Sequence, residues 1–579
     1  MRDLLDRGEL VKSGDRYICN RPINQLEIPN TIQGVLAARM DRLSEDLKQT
    51  LQVASVIGRD FAFRVLKSIM ELGEGLRVRL TSLVGLEILY EKALYPELEY
   101  IFKHALTQEV AYESLIKQRR REIDGRIARA IEEMYAHRLE PHYELLAHHY
   151  ERSGNAEKAV QYLILAGGKS WENRAAQAAS GFFEKALRIA EGAKLSLNPK
   201  TESMAHLRKG EASFLMGNID EALEESGKAA EISRKHGLVE IERDSLGMLA
   251  ISVMTSSMKD DEAFSFFDQA IARARDLGQK STESVILTSQ GVYLCYLGQL
   301  CQGHQMIVEA EELARSTKDQ RAIFHNRGRL ALSERWVGRP GKAIELTEGL
   351  VEELRSIFGM HYLPLVIWIR GLALAETGRI EEALGLFREG IEICEKSGSN
   401  FYLVRLYNCL GYCYSEICDP GKAWNWNERS EEAARKLMSQ YPMGRQLAAE
   451  VVAQASVNMM ENLFDQGNPD GAWDRIKSLE TESKGDDFAK ARYVWYARMQ
   501  YLASQILLQQ ENVGQAEPII TKNLENSRRE HKRKNEGRFL RLLGEVQMKR
   551  GESDNAIWSL SEAIMILKEV GNPRQLWQA

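Results

Sequence analysis

Proline is scarce in this chain of 579 residues, which contains 12 prolines where an average composition supplies about 5%. Because proline interrupts helices and central strands, its scarcity favours long uninterrupted helices. A chain of this length also exceeds what one hydrophobic core supports, so we expect several domains or one elongated array.

Signals for export and for membrane insertion are missing as well. The N-terminus is charged and has no apolar run of signal-peptide type. The most apolar stretch, residues 363–375, is interrupted by Arg370 and is too short to span a bilayer. The seven cysteines lack the spacing of a disulfide framework, which fits a reducing compartment. We therefore expect a cytoplasmic protein that makes no membrane contact.

Catalytic motifs are also absent. Gly168-Lys169-Ser170 ends like a phosphate-binding loop, but Leu163 stands where the first glycine of that loop is required. Without the loop, no cradle of backbone N–H groups holds the β- and γ-phosphates. No pair of metal-binding carboxylates lies in a cyclase-like context either. We expect no enzyme activity, no cofactor and no metal site.

Two further patterns invite a binding function that the sequence does not support. Cys409 and Cys413 lie one helical turn apart, but no neighbouring cysteine or histidine completes a metal site, so packing in the core is favoured. Basic runs at residues 117–121 and 527–534 are explained as solvated helix ends. Residues 1–135 are electrically neutral, which argues against contact with nucleic-acid phosphates.

What the chain does have is an internal repeat. Small residues recur at intervals of 40, with one more 41 positions before them, and a second series lies 12 positions upstream of the first. A fixed period of this size predicts a solenoid, in which each unit buries its apolar face only against its neighbours. The first series is Ala222, Ala263, Gly303, Ala343, Ala383 and Ala423, and the second is Gly210, Gly291, Ala331, Gly371 and Gly411.

The spacing within each unit resembles the tetratricopeptide signature. A glycine is followed by alanine 12 positions later, then by a bulky residue and another small residue, as in Gly371-Ala383-Phe387-Gly390. The period is longer than the usual 34 residues, which indicates longer helices. We expect a mainly α protein, with a tetratricopeptide-like α-α superhelical solenoid over residues 141–579 and an insertion near residues 438–446.

The N-terminal region follows a different pattern. Residues 1–25 contain two short predicted strands around a Ser13-Gly14-Asp15 turn. Residues 26–140 contain helical patterns followed by a predicted strand pair at residues 86–91 and 99–103. Three helices followed by a β-hairpin predict a winged-helix-like domain.

Three segments of this region resemble the part that follows the NTPase core in STAND-type signalling ATPases. Bacterial adenylate and guanylate cyclases with ATPase and tetratricopeptide modules belong to that group. The segments are LEIPNTIQGVLAARMDRL at 26–43, ASVIGRDF at 54–61 and YIFKHALTQEVAYESL at 100–115. The resemblance implies that residues 1–25 are the end of an NTPase module and that the chain is a C-terminal portion or has lost its front half. It also implies that His104 senses the β-phosphate of a bound nucleotide, although a locally satisfied histidine at a helix start remains the alternative.

The function expected from this organisation is that of a regulatory or scaffold arm. A protein or peptide partner would bind the concave face of the superhelix and control an NTPase or cyclase module in the same chain or in another subunit. Two alternatives remain: a silent C-terminal fragment of a nucleotide cyclase or ATPase, and a transcription regulator that places the winged helix on DNA. Side chains just after the packing glycines are expected to line the concave face: Arg335, Trp336, Leu372, Glu376, Tyr412 and Glu416.

Overall fold

The chain forms two compact units that are described separately. In a computed structural model the described residues are 10–13, 16–19, 32–70, 75–93, 98–173, 175–256, 259–356, 362–441, 445–488 and 492–579. The first unit contains Met1–Ala166 and Lys185–Ser196, and the second contains Gly167–Glu184 and Leu197–Ala579. Their boundary falls inside two helices, Ala156–Glu172 and Ala176–Gly192.

The first unit combines short helices with two small antiparallel sheets. Strand β1 (Leu10–Ser13) pairs with β2 (Arg16–Cys19), as the sequence predicts. The second sheet contains β3 (Asp60–Ala62), β4 (Leu89–Ala93) and β5 (Glu99–Phe102), in the order β3-β5-β4. The α-helices are Ile32–Met40, Glu45–Ile57, Phe63–Met70, Gly75–Gly85, Ala105–Glu113, Lys117–Met134 and Tyr143–Ser153.

Buried apolar side chains join the second sheet to the helices around it. Leu51, Leu66 and Leu80 come from three helices and are fully buried, and Phe102 of β5 is buried with them. The predicted helices and the predicted strand pair are therefore present, and β3 is an additional strand that the sequence did not indicate. The identification of this region as a winged-helix-like domain stays a prediction.

The second unit is a series of antiparallel helix pairs, which confirms the predicted solenoid. The first helices of the pairs, called inner helices here, are Pro199–Met216, Val239–Thr255, Lys280–Tyr296, Gln320–Trp336, Leu363–Glu376, Asn400–Glu416, Arg445–Asp465, Arg492–Gln509 and Arg533–Lys549. The second helices, called outer helices, are Ile219–Lys235, Asp260–Asp276, Leu300–Arg315, Pro340–Leu346 with Leu350–Ser356, Ile380–Ser397, Pro420–Gln440, Pro469–Glu482, Val513–Arg529 and Ser553–Val570. A short helix, Pro573–Gln578, follows.

Burial distinguishes the two kinds of helix. The inner helix Lys280–Tyr296 buries every residue of its last nine, on all sides of the helix. The outer helix Asp260–Asp276 buries one stripe at helical spacing, which includes Ala263, Phe267 and Ala274. Inner helices are therefore packed on all sides and outer helices keep one face in solvent.

The repeated small residues lie where the two helices of a pair meet. All the alanines of the first series are fully buried, from Ala222 to Ala423. Two backbones approach closely at Gly291 and Gly303, where a Cβ atom on Gly303 would overlap the carbonyl oxygen of Gly291. At Gly303 the packing role is explained by backbone contact, whereas at Gly371 and Gly411 the side chains of Phe387 and Asn427 fill the space that a Cβ atom would need.

The interval of 49 residues after Ala423 comes from longer helices. The outer helix Pro420–Gln440 and the inner helix Arg445–Asp465 each have 21 residues, where the inner helix Asn400–Glu416 has 17. Each of the two helices has thus gained about one turn. The predicted insertion at residues 438–446 is mostly helical, and residues 442–444 lie outside the described part of the chain.

The C-terminal repeats return to contact repeats in the middle of the second unit. The backbone N–H of Leu300 donates to Glu530 at 3.1 Å, and the Asn572 side chain donates to the carbonyl oxygen of Glu376 at 2.8 Å. Residues 230 and 196 positions apart are therefore joined. The superhelix therefore closes on itself within this unit, and the C-terminal repeats cover part of its inner face.

Candidate functional site

The residues predicted to bind a partner lie on three neighbouring inner helices. Glu376 and Arg335 approach within 3.7 Å. Burial raises the pKa of the Tyr412 hydroxyl, and the nearby carboxylates of Glu416 and Glu376 raise it further. Four of the six predicted side chains are thus brought together. Their role as partner-binding residues stays a prediction.

The other two predicted residues belong to the packing between repeats. Trp336 is half-buried and packs edge-on against Tyr296, with ring centroids 5.6 Å apart. Leu372 is also half-buried and packs against the central apolar cluster of the unit. Trp336 and Leu372 therefore contribute apolar contacts to the inner face.

Basic side chains from the C-terminal end pair with the predicted acidic ones. Lys534 Nζ lies 3.1 Å from Glu376 Oε1, and Arg574 lies 3.2 Å from Glu416 and 2.5 Å from Asp465. We call these five residues the ionic clamp, because their ion pairs join parts of the chain more than 100 positions apart. The clamp contains part of the basic run at residues 527–534. That run is therefore not simply a solvated helix end.

The electrostatics of the clamp favour charged carboxylates. Burial alone would raise the pKa of Glu376, but the charges of Lys534 and Arg335 outweigh burial and lower it. An adjacent buried pair, Glu461 with Arg498 at 2.5 Å, shows the same balance, since Arg498 lowers the pKa of Glu461 against the effect of burial. In such a pair each charge offsets the cost of burying the other, and removal of one member leaves an unpaired charge.

A second polar cluster on the inner helices contains His325, Arg329 and Arg405, and is called here the His325 cluster. His325 is 1% exposed and packs edge-on against Tyr362 at 5.2 Å between ring centroids. Neither ring nitrogen has a hydrogen-bond partner among the described residues. Burial, assisted by the charge of Arg329, lowers the pKa of His325 to about 3. The imidazole is therefore neutral at physiological pH.

Arg329 and Arg405 are both buried in this region, but they differ in their partners. Arg405 is paired with Glu450 at 2.8 Å, and both side chains are almost fully buried. Arg329 is 4% exposed and lies near Tyr402, whose pKa its charge lowers against the effect of burial, and no described carboxylate forms an ion pair with it. A buried guanidinium without a counter-charge is costly, and an anionic group would stabilise it.

The sequence rule for inner-face residues missed the His325 cluster. That rule considered positions after the packing glycine, whereas His325 and Arg405 both lie six positions before it, at Ala331 and Gly411. An ionisable residue in the middle of a helix that is buried on all sides is the signal that identifies them. The C-terminal partners Lys534 and Arg574 had no comparable signal, because their contacts depend on the pitch of the superhelix.

The remaining candidates are located as follows. His104 is exposed at the start of Ala105–Glu113 and makes no capping hydrogen bond there, and its role stays a prediction. Cys409 and Cys413 are buried in the core, which raises the pKa of both thiols, that of Cys413 to about 12.

In the described parts of the chain no group of three metal-ligating side chains occurs. Over the same residues no helix has the length and apolar character needed to cross a membrane.

The second unit defines the chain as a tetratricopeptide-like helical-repeat solenoid. No protein-family model matches the sequence, and no curated protein matches it significantly. Among solved structures it is similar to a Rap protein complexed with competence and sporulation factor, at 11% identity, with 72% of this chain and 99% of that chain covered and a TM-score of 0.43.

Two other solved structures are similar at comparable levels. The Rap conjugation gene regulator of the plasmid pLS20, in complex with the Phr* peptide, has 11% identity over 64% of this chain and 96% of that chain, with a TM-score of 0.38. A STAND protein with a tetratricopeptide repeat sensor from Pyrococcus horikoshii has 13% identity over 94% and 68%, with a TM-score of 0.33. These similarities concern the helical-repeat fold, which the helix pairs of this chain display on their own.

Proposed function

We propose that this chain is a non-catalytic regulatory arm. It binds a protein or peptide through the inner face of its superhelix and controls a STAND-type NTPase or cyclase module. The observation that carries the proposal is the proximity of Arg329, a buried cation without an ion-pair partner among the described residues, to the neutral His325, whose ring nitrogens have no hydrogen-bond partner there. Buried polar groups are nearly always satisfied, so an exception indicates a missing partner. A carboxylate of the bound protein or peptide would supply it.

The ionic clamp connects binding to a change of conformation. Its ion pairs start from inner helices that follow directly after the one carrying His325 and Arg329. A ligand that binds the clamped and the unclamped superhelix with different affinity shifts the equilibrium between them. Packed interfaces of this kind switch between discrete arrangements, so the shift would reach both ends of the array.

We expect Arg329→Met to weaken partner capture strongly. The full chain serves as bait in a pull-down with chemical cross-linking, and captured proteins are identified by mass spectrometry. Loss of a buried charge-assisted hydrogen bond to a ligand carboxylate costs about 1.5–3 kcal/mol, which lowers affinity by at least about tenfold. The variant should fold, because it removes a buried cation that has no carboxylate partner among the described residues.

Arg435→Met is the matched control. Arg435 lies on an outer helix and pairs with Glu431 and Glu482 in solvent. The partner should be captured by the native chain and by this variant alike, and its cross-links should map to inner helices. Equal capture by the Arg329 variant, or cross-links confined to outer helices, would contradict the proposal.

The regulatory half of the proposal depends on His104. In a chain that joins a STAND-type NTPase module to this N-terminus, we expect His104→Ala to release bound nucleotide about tenfold faster, because one charge-assisted hydrogen bond to a phosphate is lost. Release is measured by stopped-flow fluorescence with a labelled nucleotide. His137→Ala is the control, since His137 is also exposed in the first unit. An unchanged release rate in the His104 variant would rule out the sensor role.

A further inference from the structure

The last outer helix, Ser553–Val570, carries an exposed apolar stripe. Its buried face includes Ala556, Ala563 and Leu567, as expected for an outer helix. Its solvent face also presents large apolar side chains, with exposures between 41% and 65%. These side chains are Ile557, Trp558, Ile564 and Met565.

Half of this stripe is explained by the position of the helix in the array. Ile557 and Ile564 correspond to Leu384 and Ile391, which are buried in an internal repeat. In an internal repeat this part of an outer helix is covered by the repeat that follows. A further repeat packed against this helix would therefore cover Ile557 and Ile564, and it would not cover the other two side chains.

Trp558 and Met565 occupy positions that face solvent in every other repeat. They lie two and nine positions after the packing residue Ala556. At the same two positions the other outer helices carry exposed polar or small residues. Those residues are Glu224 and Glu231, Ser265 and Ala272, Gln305 and Glu312, Glu345 and Glu352, Gly385 and Glu392, Asn425 and Glu432, Asp474 and Thr481, and Pro518 and Glu525. A tryptophan and a methionine in their place call for a partner that lies along the helix.

The stripe is self-complementary about Ser561. In an antiparallel pair of identical helices centred on this residue, Trp558 opposes Ile564 of the second copy and Ile557 opposes Met565. At the ends of the stripe Asp554 opposes Lys568, so opposite charges meet twice. All of these side chains lie within about 60° of Ser561 around the helix axis, because successive residues advance by about 100°. Asp554 and Lys568 are exposed, and neither forms an ion pair with another described residue.

We propose that the outer helix Ser553–Val570 is a dimerisation face that pairs with the same helix of a second copy of this chain. The arrangement is isologous, since each contact occurs twice across a twofold axis. The small side chain of Ser561 at the centre allows the two helices to approach closely. This inference does not depend on the proposed function, because it uses no residue of the inner face.

Sedimentation of the full chain over a range of concentrations tests the proposal. We expect a species of twice the 65.8 kDa of the monomer, with a dissociation constant on the order of micromolar, because one helical stripe is a small interface. Trp558→Glu should raise the dissociation constant at least about tenfold, since a central tryptophan is a typical anchor. Val239→Glu is the control, because Val239 is an exposed apolar residue in the N-terminal half of the array.

A charge exchange identifies the partner and its orientation. Asp554→Lys alone and Lys568→Asp alone should each weaken the dimer, and the double variant should restore it to within about threefold of the native constant. A chain that stays monomeric at every concentration would overturn the proposal and assign the stripe to a different protein. A dimer that tolerates Trp558→Glu, or that the double exchange does not restore, would overturn it as well.

Discussion

Gly303→Ala is expected to destabilise the middle of the superhelix by about 2–3 kcal/mol, because overpacking at a rigid contact costs this much. The added Cβ atom would overlap the carbonyl oxygen of Gly291 and lie 2.5 Å from Cys295 Sγ and 3.0 Å from the backbone N of Cys295. Backbone atoms cannot rotate away as a side chain does, so the two helices must separate. Hydrogen exchange in Lys280–Tyr296 and Leu300–Arg315 measures the effect as a loss of protection.

Gly385→Ala is the control for this substitution. Gly385 lies in the middle of the outer helix Ile380–Ser397, and a Cβ atom there would have no neighbour within 4 Å. Alanine should therefore stabilise that helix by up to about 1 kcal/mol through its higher helix propensity. Equal protection in the two variants would show that the contact between Gly291 and Gly303 is looser than the structure indicates.

Contacts within one repeat, such as that between Gly291 and Gly303, could be predicted from the sequence. The period of 40 residues identifies the positions at which the two helices of a pair pack closely, because that contact is made within one repeat and recurs in each. The residue type indicates how closely the two helices approach, since a glycine such as Gly303 allows a shorter distance than the alanine of most repeats. Helix pairing, the turns and the burial of the small residues follow from such local rules.

Contacts between distant repeats could not be predicted in the same way. The pairing of Glu376 with Lys534 depends on the sum of small rotations over several repeats, and the two lengthened helices after Ala423 change that sum. No local pattern encodes it. Strand β3 was missed for a different reason, since three residues are too short for an alternation of apolar and polar side chains to appear.

The candidate site was predicted in part for related reasons. Positions four and five after the packing glycine do face the interior, and they identified Arg335, Glu376 and Glu416. The rule assumed an open concave face that needs an external partner. In the structure two of these residues already pair with the C-terminal end of the same chain, through Lys534 and Arg574.

Arg574→Glu is expected to release the C-terminal repeats from the middle of the superhelix. The substitution places a carboxylate beside Glu416 and Asp465, where a guanidinium now pairs with both. Breaking a fully buried pair costs about 3–5 kcal/mol, and the partial exposure of Arg574 reduces the expected loss to about 2–3 kcal/mol. Hydrogen exchange should accelerate in Arg533–Lys549 and Ser553–Val570, and small-angle scattering should show a larger radius of gyration.

Arg379→Glu is the matched control, because among the described residues Arg379 forms an ion pair only with Glu382, in the same helical segment, and both side chains are exposed. Its effect should stay below about 0.5 kcal/mol, as for other surface pairs. Lys534→Glu, which places a second carboxylate beside Glu376, should open the closed form as well. If the Arg574 variant kept native protection in the last two repeats, closure would rest on apolar packing and the clamp could not transmit ligand binding. If the superhelix of the Arg574 variant opens, this variant can be used to test whether an open superhelix activates the controlled module without a ligand.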